Sequence, residues 1–157
     1  MLRSPSKPLK KNNRIVRIYL LLFLVTFFMN GVVAYASGNY GLMLVTMSFM
    51  ALDLIVFASV WMSQSSYIER STQVSLLELL ETFDPESVCP FCQVIRLPKS
   101  RHCNICNRCV ERYDHHCPWI NNCVGRTNHS RFYYHLILVL AYCISSVINA
   151  SFGLGRS

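Results

Sequence analysis

The chain has 157 residues and a formal net charge of +7, with 52% hydrophobic and only 15% charged residues. That length suits one domain, and the balance is too apolar for an ordinary soluble one. Charge and apolarity are unevenly spread, so the chain is best read in order.

Residues 1–17 form a basic tail: Arg3, Lys7, Lys10, Lys11, Arg14 and Arg17 lie there with no acid among them. Such a segment is expected to stay in the cytosol, solvated and drawn to anionic membrane lipids. No aromatic residue interleaves the charges and an apolar run comes next, so nucleic acid is not expected as a partner.

Residues 18–36 (IYLLLFLVTFFMNGVVAYA) carry no charge and are long enough to cross the ~30 Å hydrocarbon core as transmembrane helix 1. A cleaved signal peptide is the alternative, since Ala34-Tyr35-Ala36 resembles a cleavage site. The length of the run and the second run behind it argue against cleavage. Ser37 to Tyr40 reads as a turn, and residues 41–62 as transmembrane helix 2. Asp53 lies near the middle of that span, where a carboxylate is costly; a helix–helix contact is expected to hold it. Trp61 sits where an interfacial aromatic belongs. The positive-inside rule keeps the tail cytosolic, and two spans return the chain to the same side. The chain beyond the second span then lies in the reducing compartment, where thiols persist as metal ligands and not as disulfides. Residues 63–88 form a cytosolic linker in which Ser71–Phe83 has the spacing of a short amphipathic helix, ended by Asp84-Pro85.

Residues 89–131 hold the chemistry. Between Cys89 and Cys123 lie seven of the eight cysteines and three of the five histidines. The spacing is Cys89-x2-Cys92, then His102-Cys103-x2-Cys106-x2-Cys109, then His115-His116-Cys117, then Cys123. Short Cys-x2-Cys steps bring two thiolates to one tetrahedral ion, so the block is expected to bind zinc. One closed site uses four donors and two use eight, which leaves two of the ten over. The surplus falls most naturally in Asp114-His115-His116-Cys117, where a thiol, imidazoles and a carboxylate crowd together. A thiol beside a base is an activated nucleophile, and a carboxylate can orient that base. Spacing alone does not say which of His115 and His116 binds metal.

From Cys89 through His102-Cys103, Cys106, Cys109, Asp114-His115-His116-Cys117-Pro118-Trp119, Asn122-Cys123 and Gly125 to Asn128 and Phe132, the stretch resembles the cysteine-rich domain of DHHC protein S-acyltransferases (palmitoyltransferases). The resemblance implies one zinc on Cys89, Cys92, His102 and Cys109, and a second on Cys103, Cys106, His116 and Cys123. Asp114, His115 and Cys117 are then the catalytic residues. Lys99 departs from the arginine usual in the family, and Asp84-Pro85-Glu86 is no clean copy of the family's Asp-Pro-Gly motif.

Residues 132–155 are uncharged and long enough to be transmembrane helix 3. In it His135 is expected at the interface, Cys143 as a small packing residue, and the Asn149-Ala150-Ser151 sequon unused. No internal repeat is evident. The expected fold is therefore an α-helical integral membrane protein: three transmembrane helices, with a small cytosolic two-zinc domain between the second and third. The family core has four spans and a Thr-Thr-x-Glu motif after the last, so the chain reads as a C-terminally short member or fragment.

What the resemblance implies for function is two-step transfer of a long-chain acyl group. The acyl group passes from acyl-CoA (palmitoyl-CoA) to Cys117 and then to cysteine thiols of protein substrates. Both zincs are structural, and Pro118-Trp119 seats the loop at the headgroups. The location is a multi-pass protein of the endoplasmic reticulum, Golgi or plasma membrane, in contact with membrane lipids. The competing reading is a catalytically incomplete zinc module that binds other proteins.

Overall fold

The computed structural model describes residues 13–70 and 75–154. Most of the expected basic tail, and residues 71–74 of the expected Ser71–Phe83 helix, lie outside the described residues. In chain order the elements are α1 (Arg14–Ser37), α2 (Tyr40–Trp61), α3 (Leu76–Thr82), a 3-10 turn (Pro85–Ser87), β1 (Val88–Cys89), β2 (Val94–Ile95), β3 (Arg101–Cys103), β4 (Arg108–Val110), β5 (His115–Cys117), β6 (Asn122–Val124) and α4 (His129–Leu154). They fall into two compact units, a helical one of residues 13–62 and 130–154 and a cysteine-rich one of residues 63–129.

In the helical unit α1, α2 and α4 are each long and apolar enough to cross a membrane. Gly38 turns α1 into α2: its φ of 66° is the left-handed cap that glycine adopts without strain, and its N–H reaches Tyr35 O. Asn39 then caps α2 by accepting from the Leu42 N–H at 3.3 Å. Leu21, Phe28, Val32, Ile55, Ile137 and Val147 face outward, while Asn30, Thr46, Asp53, His135 and Asn149 are buried. Val16, Phe23, Phe57 and Val60 are buried with them, and an apolar outer face with polar groups kept to the interior is the pattern that a hydrocarbon solvent selects.

The buried polar groups pair across helices. Asp53 is fully buried, accepts from the Tyr19 hydroxyl at 3.1 Å and lies 2.7 Å from His135 Nδ1. It thus makes two contacts to neighbouring helices, and Tyr19 stacks on Phe57 at 4.8 Å beside it. His135 is buried in the bundle with Asp53 as its partner. Farther along, Tyr142 donates to Thr26 at 2.8 Å, and Asn149 donates to the Asn30 side chain at 3.3 Å. Asn149 of the sequon is fully buried. Cys143, expected to pack, is exposed on α4.

The cysteine-rich unit is built from three antiparallel hairpins, β1–β2, β3–β4 and β5–β6. Residues 65–68 run beside β4: Tyr67 bridges Val110, the Ile68 N–H reaches Cys109 O, and the Glu111 N–H reaches Ser66 O. Two small clusters result, Cys89, Val94 and Cys109 under Ile68, and Cys103, Val110 and Cys123 under Tyr67 and Tyr113. Gly125 is pressed against β4; a Cβ there would lie 2.8 Å from Val110 Cγ1 and 3.0 Å from Glu111 O. In α3, capped by Ser75, only Leu79 is buried.

The hairpins are copies of one another, a repeat that the sequence did not make evident. Their pairings are Val88↔Ile95 and Cys89↔Val94, then His102↔Cys109 and Cys103↔Arg108, then His116↔Cys123 and Cys117↔Asn122. Cys89, Cys103 and Cys117 thus occupy one structural position at a constant spacing. Gln93, Asn107 and Asn121 share another, with left-handed φ values of 54°, 54° and 47°. The repeat lies in backbone register, and in letters it is clearest between the second and third hairpins, where His102, Cys103, Asn107 and Cys109 match His116, Cys117, Asn121 and Cys123.

Candidate metal centres and the adjoining thiol

Each of the first two hairpins presents its turn residues to the next hairpin in the chain. Cys89 and Cys92 come from the first turn, and His102 and Cys109, paired across β3–β4, complete a group of four. Cys103 and Cys106 come from the second turn, and His116 and Cys123, paired across β5–β6, complete another. In each group the ligand atoms lie within 4.8 Å of one another. The structure thus brings together the two sets of four that the resemblance implied.

The distances test whether zinc fits. Bonds of about 2.3 Å to sulfur and about 2.0–2.1 Å to nitrogen put tetrahedral ligands about 3.5–3.8 Å apart. His102 Nδ1 lies 3.7 Å from Cys89 Sγ and 3.2 Å from Cys92 Sγ. His116 Nδ1 lies 3.7, 3.4 and 3.6 Å from the sulfurs of Cys103, Cys106 and Cys123. Both groups fit a closed four-ligand ion, with Nδ1 as the nitrogen donor.

Electrostatics point the same way. The bond from the Cys123 thiol, 3.3 Å away, holds the Cys106 thiol down at about 5 against the opposing effect of burial; the Tyr67 hydroxyl adds to it. Cys123, the donor, is pushed up by that bond and by burial. Cys109 is pushed up by burial and by the nearby Cys89 and Cys92 sulfurs. Three crowded thiols cannot all ionise without a cation among them, and a divalent ion supplies that charge.

Cys117 belongs to neither group. It sits at the end of β5, opposite Asn122, and is 5% exposed. Asn122 pins this hairpin: its Oδ1 accepts from Ser65 Oγ at 2.7 Å and its Nδ2 donates to Ser63 O at 2.8 Å. His115 lies two residues before Cys117, hence on the same face of β5. Its Nδ1 is 3.4 Å from Asp114 Oδ2, and both side chains are half exposed. His129, at the start of α4, brings Nε2 to 3.7 Å from the same carboxylate oxygen. Sequence reasoning missed His129, because only closure of the chain after β6 sets it beside Asp114. It also missed Ile120, which stands fully buried where the other two turns carry Cys92 and Cys106. Counting the spacing from Cys89 to Cys103 to Cys117 would have found it.

Residues 82–156 match the family model for DHHC palmitoyltransferase. Three curated proteins illustrate the likeness. The chain is 37% identical over 73 residues to palmitoyltransferase Hip14 of Drosophila melanogaster, covering 44% of this chain and 12% of that protein. It is 51% identical over 63 residues to palmitoyltransferase SWF1 of Kluyveromyces lactis, covering 38% and 19%. It is 49% identical over 70 residues to palmitoyltransferase ZDHHC23-A of Danio rerio, covering 43% and 17%. The chain therefore spans less than a fifth of the length of each.

Proposed function

The stretch from residue 82 to 156 belongs to the DHHC palmitoyltransferase family, and from that premise we propose that the chain is a membrane-bound protein S-acyltransferase with Cys117 as acyl carrier. The observation that carries this reading is the thiol left over. Eight of the ten sulfur and imidazole donors gather into two closed groups, and Cys117 lies outside both, next to His115 and Asp114.

Two zinc ions, which Cys89, Cys92, His102 and Cys109 and Cys103, Cys106, His116 and Cys123 would hold, would supply structural closure. The remaining chemistry belongs to the side chains. His115 takes the proton from the Cys117 thiol. Asp114 holds the imidazole by Nδ1 and stabilises its charged form. The thiolate attacks the thioester carbonyl of a long-chain fatty acyl-CoA. A carbon–sulfur bond to Cys117 forms, the bond to CoA sulfur breaks, and the CoA thiolate takes up the proton. The thiol of a protein substrate then attacks the S-acyl enzyme, passing its proton to His115 and returning Cys117 to its thiolate.

A membrane setting suits this substrate, since each CH2 group of the acyl chain gains ~0.8 kcal/mol on leaving water. In this reading α1, α2 and α4 are the transmembrane helices. The basic tail and the cysteine-rich unit share the cytosolic side, and an endoplasmic reticulum, Golgi or plasma membrane holds the protein.

The test is labelling of the full chain in membranes with an alkyne-tagged palmitoyl-CoA, for wild type and Cys117→Ser. Wild type is expected to take up label that hydroxylamine removes, and Cys117→Ser none. Equal labelling of both would remove Cys117 as carrier and leave the zinc module that binds other proteins.

A further inference from the structure

Asp114 has two imidazole neighbours, and the transfer scheme above uses only one of them. His115 Nδ1 lies 3.4 Å from Asp114 Oδ2, and His129 Nε2 lies 3.7 Å from the same oxygen. The backbone builds the second contact. The Asp114 N–H reaches Val124 O at 3.0 Å, and the His129 N–H reaches Gly125 O at 2.9 Å. Both residues are thus anchored to neighbouring carbonyls at the end of β6. The turn that carries His129 is itself fixed. Asn128, fully buried, accepts from the Gly125 N–H at 2.9 Å and donates to Cys123 O at 2.9 Å and to Ser63 Oγ at 3.2 Å. All of these residues belong to the cysteine-rich unit.

We propose that His129 is a positioning residue for acyl transfer: through Nε2 it holds the Asp114 carboxylate, which in turn holds His115. The proposal rests on the reading of Cys117 as acyl carrier. Asp114 is half exposed, so water competes for its oxygens, and a single imidazole contact leaves the carboxylate able to turn. A second contact from a separate segment of chain restrains it. One carboxylate oxygen can serve both rings, because it has two lone pairs. At 3.4 and 3.7 Å both contacts are long, as contacts between catalytic groups often are before substrate binds. His129 acts through Asp114 on the orientation of the base, and a base held off its working geometry slows the chemical step more than it weakens substrate binding.

The experiment uses the full chain in detergent as wild type, His129→Phe and His129→Gln. Phenylalanine keeps a flat ring but no donor, and glutamine keeps an N–H donor but no ring. Acylation of Cys117 by alkyne-tagged palmitoyl-CoA is followed in time over a range of acyl-CoA concentrations, and zinc per chain is measured by mass spectrometry. His129→Phe is expected to lower the maximal acylation rate about 3- to 10-fold, the rate equivalent of one ordinary hydrogen bond. The half-saturating acyl-CoA concentration and the zinc content are expected to stay at the wild-type values. His129→Gln is expected to recover most of the rate, which a role in ring packing would not produce. A phenylalanine variant as fast as wild type would overturn the proposal. Equal slowing of both variants, a change confined to the half-saturating concentration, or slowing accompanied by zinc loss would overturn it too. A wild-type chain that takes no label on Cys117 would overturn the carrier reading itself, so the two failures are told apart by which chain fails.

Discussion

The two units hold together by opposite means. The helical unit buries Asn30, Asp53, His135 and Asn149 and turns Leu21, Phe28, Ile55 and Val147 outward. The cysteine-rich unit has few buried apolar side chains among its described residues: Leu79, Val88, Val94, Val110, Ile120 and Val124, the other buried hydrophobics being cysteines. Its strands are two or three residues long. So small an interior cannot offset the entropy of ordering the chain, and short hairpins are marginal alone. The lesson is that one unit pairs polar groups inside an apolar exterior, and the other gathers potential metal ligands in place of a large apolar interior.

Metal removal should separate the units most sharply. Structural zinc contributes roughly 10–16 kcal/mol of apparent folding free energy at neutral pH. Prolonged chelation is expected to open residues 63–129 to limited proteolysis while the helical signal in circular dichroism persists. Retention of protease resistance without zinc would mean that the hairpins stand on packing, and the contrast would fail.

The next largest effect belongs to the helical unit. Asp53→Ala removes the partner of buried His135 and of the Tyr19 hydroxyl. Breaking a buried pair in this way costs about 3–5 kcal/mol, whereas replacing both partners with apolar residues is often near neutral. Thermal unfolding in detergent should show a large loss for Asp53→Ala and substantial recovery for Asp53→Leu with His135→Leu. Equal losses in the two would mean that the pair does more than balance charge.

Gly125→Ala probes the close approach in the cysteine-rich unit. The added methyl meets Val110 Cγ1 at 2.8 Å and the Glu111 carbonyl at 3.0 Å. Overpacking of this kind costs about 1–3 kcal/mol. Earlier zinc release on titration with a chelator is the expected readout, and an unchanged release curve would show that β4 yields. Arg126→Ala should matter least. The guanidinium contacts both Glu111 carboxylate oxygens, at 2.9 and 3.0 Å, but is 60% exposed. Such a pair contributes about 0–1 kcal/mol, so chelator titration should barely distinguish this variant from wild type.

Some of this was legible in advance because it is local or additive. The apolar runs announce helices by length alone, and α1 and α2 meet at the turn that Gly38 and Asn39 signal. The Cys-x2-Cys steps announce turns that place two sulfurs together, and the count of donors announces a surplus. The pairing of Asp53 with His135 was not legible, since the residues are far apart in the chain and nothing in either run's composition names the other. Nor was His129 beside Asp114, which depends on how the chain closes after β6.

Composition and spacing by themselves thus determined that there would be long apolar helices, that sulfur and imidazole would gather into sets able to hold metal, and that some of the donors would be left over. Only the tertiary structure decided how the hairpins stack, each completing the metal group of the one before it. The register also brought out the repeat and put Ile120 where its sister turns carry a cysteine. The physical reason is that ligand geometry is set by strand pairing between separate segments, and a linear pattern carries no record of which hairpin lies against which.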